Sequence, residues 1–571
     1  MMISLKLSAF FIFSVSSAAR VVADVPASSI SSSQWQTLND TLGGKLRTAL
    51  PVSAPCFSTV NGVNVTVDSE ACSNVEANYT DPLYRVEQFG AYMLPQWETC
   101  QSTSKKCLLD DTNTSNPLAW EDSTCLQGSV PPYFIDVQNA SDVQAAFAFA
   151  QDTGVRLSIK NSGHDYKGRA SSPDSLSVWV HHLDSITYDA NFSPEACGTT
   201  YSAMTVGGGA VFQAIYEFAE ANNITFIGGY HQTVVASGGW VQGAGHSILS
   251  PVYGLGVDRV LQFKIVTPDG ELRVANECQN QDLFWALRGG GGGTFGVVLE
   301  SSHIVEPQMS LRVASISFTQ TSDNARDWFE FMVNSSVKWA NEGWGGHIGV
   351  STLIHVNPLL TLAEANASMQ EVAAFAISQG GKAVIEELPS WYQFFSKYVT
   401  ASQSAVGGQS ILGTRLITTS VFEDESSSEA LVDALVNTDD LHIAVGTPVL
   451  YNATANSTSC TPAWYKSLWT LGFHSVWDYN ATVSEIASTY QEVSDLLQPY
   501  RDITPDSGAY TNEGDVYEPN FEYSFWGDNY VALLALKQKY DPYGLLDCWM
   551  CVGWTGAQAP RYECYLDING L

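Results

Sequence analysis

Three stretches of this 571-residue sequence set reactive side chains beside glycine: Lys160-Asn161-Ser162-Gly163-His164-Asp165-Tyr166, Gly238 to His246, and Asp282 to Gly293. Eighteen of the 45 glycines fall within residues 207–296. Glycine tolerates positive φ and lets backbone N–H groups approach a ligand, so such clusters suit a pyrophosphate. A Rossmann site would place strand, GxGxxG and helix in that order. Here Gly289–Gly293 follows a helical pattern (Gln281–Arg288) and leads into an apolar strand, Phe295–Leu299, which is the reverse. There is no Walker A sequence either. Glycine-rich turns and structural histidines are the plain alternative. A lone histidine after a strand, such as His164, is most often structural, and what singles it out here is its place among these three motifs. His181-His182 resembles a metal pair, but neighbours on a strand point to opposite faces. No His/Asp/Glu cluster has ligand spacing, and no metal site is predicted.

The elements that must hold these residues follow from periodicity. Tyr133–Val137 reads as a strand, Asp142 as the cap of a helix through Gln151, Gly154 as its stop, and Val155–Ile159 as the next strand: a βαβ unit. A second such unit is expected from strand Met204–Val206, helix Val211–Asn222 and strand Ile224–Ile227. Pro268-Asp269-Gly270 joins Leu261–Thr267 to Glu271–Val274 as a hairpin. From about residue 306 to 500 the glycine clusters stop. Asn324–Ala340 and Thr361–Ser378 read as amphipathic helices, with strands such as His347–Ile354 and His442–Val445 between them. The class is α+β.

Composition narrows the function. There are 26 Lys+Arg against 59 Asp+Glu, a formal charge of −33. Such an excess of acid argues against nucleic acid and anionic membranes as partners. The 45% apolar content is that of a globular protein.

Residues 1–23 read as a secretory signal: Lys6, the apolar run Leu7–Val15, and cleavage after Val21-Val22-Ala23 or Ser17-Ala18-Ala19. Twelve Asn-x-Ser/Thr sites agree with secretion and glycosylation. Of eleven cysteines, five precede residue 126 and three follow residue 547, so bridges are expected to staple the two ends. The odd count leaves one free, and Cys278 is a candidate. Cys548-x-x-Cys551 is expected to be a structural disulfide.

The motifs at 160–166, 238–246 and 282–293, in this order, resemble the FAD domain of the vanillyl-alcohol-oxidase superfamily, in its berberine-bridge-enzyme-like branch. Gly508-Ala509-Tyr510-Thr511-Asn512-Glu513 and Asn529 through Pro542 are similar to that branch's closing segment. Trp97-Glu98-Thr99-Cys100 and Cys125-Leu126-Gln127-Gly128 resemble its secreted fungal, isoamyl-alcohol-oxidase-like members. The resemblance implies a two-subdomain PCMH-type FAD-binding domain (126–305) after an N-terminal extension (24–125). A substrate domain (306–504) with an antiparallel sheet covered by helices follows, and 505–571 return to the FAD domain.

The same resemblance implies FAD bound covalently through His164. Relatives with a second, cysteinyl link carry it before the Gly238-Gly239 motif. Here Gln232 takes that place, or His231 if the alignment slips by one, so a single link is expected. Lys160, Asn161, Ser162 and Gly163, then Val235, Ala236, Ser237, Gly238 and Gly239, are the implied cofactor contacts. Gly243, Gly245, Val297, Val298 and Asn512 complete that set. Tyr166, His246, Tyr510 and Glu513 are the implied catalytic candidates, and Val235 matches a gate position associated with reaction with O₂.

The implied activity is a secreted oxidase that takes hydride from an alcohol and reduces O₂ to H₂O₂. The partners are a small-molecule substrate and O₂, and the chain is expected to be monomeric. A carbohydrate oxidase or an oxidative cyclase of secondary metabolites is the alternative within the family. A non-catalytic flavin-binding glycoprotein is the alternative outside it.

Overall fold

The computed structural model describes residues 24–438 and 440–568, so the expected signal segment lies outside the described residues. The first sheet holds β1 (Leu46–Thr48), β2 (Tyr133–Asp136), β3 (Leu157–Lys160) and β4 (Leu176–Trp179) in the order β1-β2-β4-β3. Strands β2 and β3 both run parallel to β4, and β1 is antiparallel to β2. Helix α1 (Ala140–Thr153) makes the crossover. Its cap is Asn139 and not Asp142. The Asn139 side chain accepts from Ser141 N–H, while Asp142 reaches back to accept the Asn139 N–H at 3.2 Å, a capping box. Gly154 ends the helix at φ +75°, as expected. Val143, Ala146, Phe147 and Ala150 bury one face, and a core side chain the size of Val or Phe contributes ~1.5–3 kcal/mol.

The second sheet is antiparallel: β5 (Ile186–Phe192), β6 (Tyr201–Gly207), β7 (Val260–Val266), β8 (Leu272–Asn276) and β9 (Val297–Ile304), ordered β8-β7-β9-β6-β5. The β7–β8 hairpin turns at Gly270 (φ +84°), as read from the sequence. The second βαβ unit is not formed. Helix α2 (Phe212–Ala221) follows β6, but Ile224–Thr225 pairs antiparallel with Glu306–Pro307 in a separate two-stranded sheet. Both edges of β6 are already taken by β5 and β9, which leaves no ladder for a returning parallel strand.

The third sheet has seven antiparallel strands: β10 (Leu311–Ser317), β11 (Gly345–Ile348), β12 (Thr352–Asn357), β13 (Lys382–Leu388), β14 (Gln409–Thr418), β15 (His442–Val445) and β16 (Ser467–Trp477). Their order is β13-β10-β12-β11-β15-β16-β14. The segment read as one strand, 347–354, is a hairpin, because Gly349 N–H donates to Thr352 O at 2.8 Å and reverses the chain. Helices Ala325–Glu342, Leu362–Ser378 and Val483–Ile503 contact this sheet, the last lying along β14 and β16.

The C-terminal residues bind the other parts together. Trp526 Nε1 donates to Gly289 O (3.0 Å), Lys537 Nζ to Thr294 O (2.7 Å), and Lys167 Nζ to Gly514 O (2.6 Å). Cys100–Cys564 staples the ends, as expected, and Cys548–Cys551 is a disulfide. The free thiol is Cys460, buried; Cys278 is paired with Cys197.

Candidate active site

A cavity of about 780 Å³ lies between the end of β3, the glycine-rich segments, the third sheet and residues 510–513, a volume in the range of small-molecule and cofactor sites. Strand β3 delivers Asn161 to Tyr166 to its wall. Gly239, Gly292 and Gly293 form a side-chain-free cradle there. A Cβ on Gly239 would meet nothing within 4 Å, and one on Gly293 (φ +72°) would meet only Ile159 Cδ1 at 3.8 Å. Arg169 is the one Lys or Arg on the wall among the described residues, and it is held by Asp165 and by Asn512 Oδ1 (3.1 Å). Anionic groups in this cradle would therefore be received by backbone N–H groups and Ser162.

His164 lies at the wall with Nε2 2.7 Å from Thr233 Oγ1, which leaves Nδ1 for a ligand. Burial, then the neighbouring His231, pushes its pKa well below 6.5, so the ring is neutral and nucleophilic. The His231 ring stands edge-on at 4.4 Å, with Nε2 buried and unpartnered. Gln232 is off the wall, so His231 is the residue beside His164. The glycine cradle, the free Nδ1 and the orphaned His231 nitrogen together fit a flavin dinucleotide.

His246 Nε2 is 3.0 Å from Glu513 Oε1. Burial disfavours the imidazolium, but the Glu513 carboxylate outweighs it and raises the His246 pKa above 6.5. Burial likewise opposes the Glu513 charge, and His246, then His442 and His474, hold its pKa below the usual carboxylate value. Trp464 stacks on His246 at 5.8 Å and Tyr510 meets it edge-on at 5.4 Å. Tyr510 donates to Trp240 O (3.1 Å) and accepts from Asn512 Nδ2 (2.7 Å), so its hydroxyl joins the closing segment to the glycine-rich one. Asn512 Nδ2 also donates to Gly239 O (2.7 Å), which makes Asn512 a clasp. Tyr166 lines the cavity 6.3 Å from the His474 ring, its phenol pKa raised by burial and by Glu513.

Several expected cofactor contacts lie off the wall. Lys160 is fully buried and its Nζ donates to Gln88, Phe89 and Ala91 carbonyls, anchoring the N-terminal extension; burial brings its pKa down to about 7. Ala236, Ser237 and Gly238 sit behind Gly239, where a Cβ on Gly238 would strike the Asn161 amide. Gly243 makes room for Asn512, and Gly245, Val297 and Val298 are packing positions. Val235 does line the cavity, 3% exposed.

The sequence reading missed the third sheet's contribution. His347, His442 and His474 face the same cavity, and His347 Nδ1 is 3.1 Å from His442 Nε2. Six of the ten histidines line it. Each stands alone in sequence, so only the strand register brings them together. His181 and His182 are not on a strand. They follow β4 with rings 5.0 Å apart, paired separately to Glu87 and Asp136.

Residues 131–276 match the FAD binding domain family, and residues 509–546 match the berberine and berberine-like family. The FAD-linked oxidoreductase ffsJ of Aspergillus flavipes is 41% identical, over 91% of this chain and 92% of its own. The VAO-type flavoprotein MtVAO615 from Myceliophthora thermophila C1 superposes with a TM-score of 0.79 at 27% identity, covering 94% of this chain and 97% of that one. The glucooligosaccharide oxidase of Acremonium strictum, described with a 6-S-cysteinyl, 8α-N1-histidyl FAD, shares the fold at TM-score 0.61 and 21% identity, over 74% and 91% of the chains. With its cofactor cradle, its closing segment and these relatives, the chain belongs to the berberine-like FAD-linked oxidoreductases of the VAO fold.

Proposed function

We propose that this protein is a secreted alcohol oxidase with FAD attached through His164 alone. One observation carries the reading: His164, with Nδ1 unengaged, and the His246–Glu513 pair share one cavity. In this division residues 126–305 hold the cofactor, 306–504 the substrate, and 505–571 close the site. The bound flavin supplies the hydride acceptor and, through O₂, the route to H₂O₂.

The chain's own work is proton handling and orientation. Glu513 accepts the Nε2–H of neutral His246 and fixes its tautomer, leaving Nδ1 as the base for a substrate hydroxyl. As that proton arrives, the half-buried carboxylate 3.0 Å away stabilises the imidazolium. Trp464 and Tyr510, in contact with each other, both pack against the ring and fix its orientation. Val235 leaves a small apolar wall where O₂ would approach. No cysteine lies between residues 198 and 277, which supports the single link. Five disulfides and twelve glycosylation sequons support secretion.

The test is oxygen uptake and peroxide release by purified holoenzyme across a panel of primary, secondary and ring alcohols. Peroxide formed one-to-one with oxygen consumed, and lowered ~10²–10⁴-fold in His246→Ala, is the expected result. Reduction of the flavin by an alcohol without oxygen uptake would make the protein a dehydrogenase. No reduction by any alcohol would return it to the flavin-binding glycoprotein reading.

A further inference from the structure

The third-sheet wall carries polar groups that neither the cofactor nor the base uses. Strand alternation puts His442 and Ala444 on the cavity face of β15, and Thr470 and His474 on that of β16. Register aligns Ala444 with Thr470, and aligns His442 with Gly472 and then Thr414 across three strands. Thr414 and Thr470 are 3% and 2% exposed, and the Oγ1 of each is buried with no partner. A buried hydroxyl without a partner is costly, so two on one cavity wall point to a ligand. Gly472 keeps the floor between them low, since a Cβ there would come 2.6 Å from Thr414 Cγ2.

His442 adds a donor. His347 Nε2 is buried without a partner, and a proton there would be an unmet donor. The shared proton therefore sits on His347 Nδ1, His442 accepts at Nε2, and His442 carries its own hydrogen on Nδ1. Both imidazoles are kept neutral by burial. The wall's one guanidinium, Arg169, is already paired with Asp165.

The base opens onto the same cavity. His246 Nδ1 lies 3.3 Å from where a Cβ of Gly446 would be, so Gly446 keeps that nitrogen open. Gly446 follows β15 two residues beyond Ala444, the register partner of Thr470, so the base and the two hydroxyls belong to one stretch of the cavity wall.

We propose that Thr470, Thr414 and His442 form a subsite for a second, neutral oxygen of the substrate, on the same cavity wall as the base His246. The inference rests on the oxidase reading for the role of His246. The substrate class is an alcohol that carries a second neutral oxygen.

The probes are trans-1,4-cyclohexanediol, cyclohexanol and trans-4-aminocyclohexanol, titrated into the holoenzyme and read by the visible difference spectrum of the flavin. The diol should bind about 3- to 10-fold tighter than cyclohexanol, the ratio of one added neutral hydrogen bond. In T414V/T470V the two should bind equally, while the melting temperature stays the same or rises, since an unpartnered hydroxyl has been replaced by a methyl. Equal binding to wild type, a preference that survives in the double variant, tighter binding of the aminoalcohol, or no spectral change with any probe would each overturn the subsite. Oxygen uptake separates this from the oxidase reading: a diol preference without turnover keeps the subsite and removes the oxidase, and turnover without preference does the reverse.

Discussion

Glu513 Oε1 and His246 Nε2 meet at 3.0 Å although 267 residues separate them. The contact joins the closing segment to the end of the glycine-rich segment, so His246, the proposed base, has its carboxylate partner only when the C-terminal residues are docked. His246 is useful as a base when neutral, and Glu513 raises its pKa above 6.5.

The pH profile should report this pair. A base must lose its proton to work, so kcat/KM should rise with pH through a pKa above 6.5. Glu513→Gln removes the carboxylate and leaves burial as the dominant effect, which lowers the His246 pKa. The acid limb should move to lower pH while the plateau falls roughly 10- to 100-fold, the value of one charged hydrogen bond at ~1.5–3 kcal/mol. An unshifted acid limb in Glu513→Gln would assign the titration to another group.

Arg501 is the test of the closing segment's stability. Its Nη2 donates to Asp515 (2.9 Å) and Glu518 (2.8 Å), both buried. Arg501→Met would leave the buried Asp515 without its cation and Glu518 with Arg415 alone (3.8 Å), at a cost of ~3–5 kcal/mol. Denaturant unfolding should show that loss, with partial recovery when Glu518→Gln is added.

The Cys100–Cys564 bridge closes a loop of 464 residues between the N-terminal extension and the C-terminal end. Cys564→Ser should lower stability by ~2–5 kcal/mol. The variant should lose its C-terminal residues to proteases faster than wild type does.

Local chemistry was readable in the sequence where it acts over a few residues. The capping and stop signals of Ala140–Thr153, the Gly270 hairpin and strand His442–Val445 all appear in the structure, with the cap displaced from Asp142 to Asn139 because Asp, itself a favoured N-cap, here fills the third helical position of a capping box. The cofactor motif located His164, His246 and Glu513 on one cavity. Relations set by sheet register were not readable. His347, His442 and His474 sit on three strands, and nothing local distinguishes a cavity histidine from a packed one. The free cysteine was misplaced for the same reason: Cys197 and Cys278 meet only once β5, β6 and β8 are assembled, which leaves Cys460 free. Lys160 stood in a cofactor motif, yet its side chain turned to the carbonyls of residues 88–91, a partner far off in sequence.

The central claim is that His164 carries the flavin. The measurement is in-gel flavin fluorescence of acid-treated, denatured protein, for wild type and His164→Ala, beside the visible spectrum of each native protein. The account predicts fluorescence that migrates with wild type and is absent from His164→Ala. A denatured wild type without fluorescence, or a His164→Ala variant that keeps it, would contradict the account.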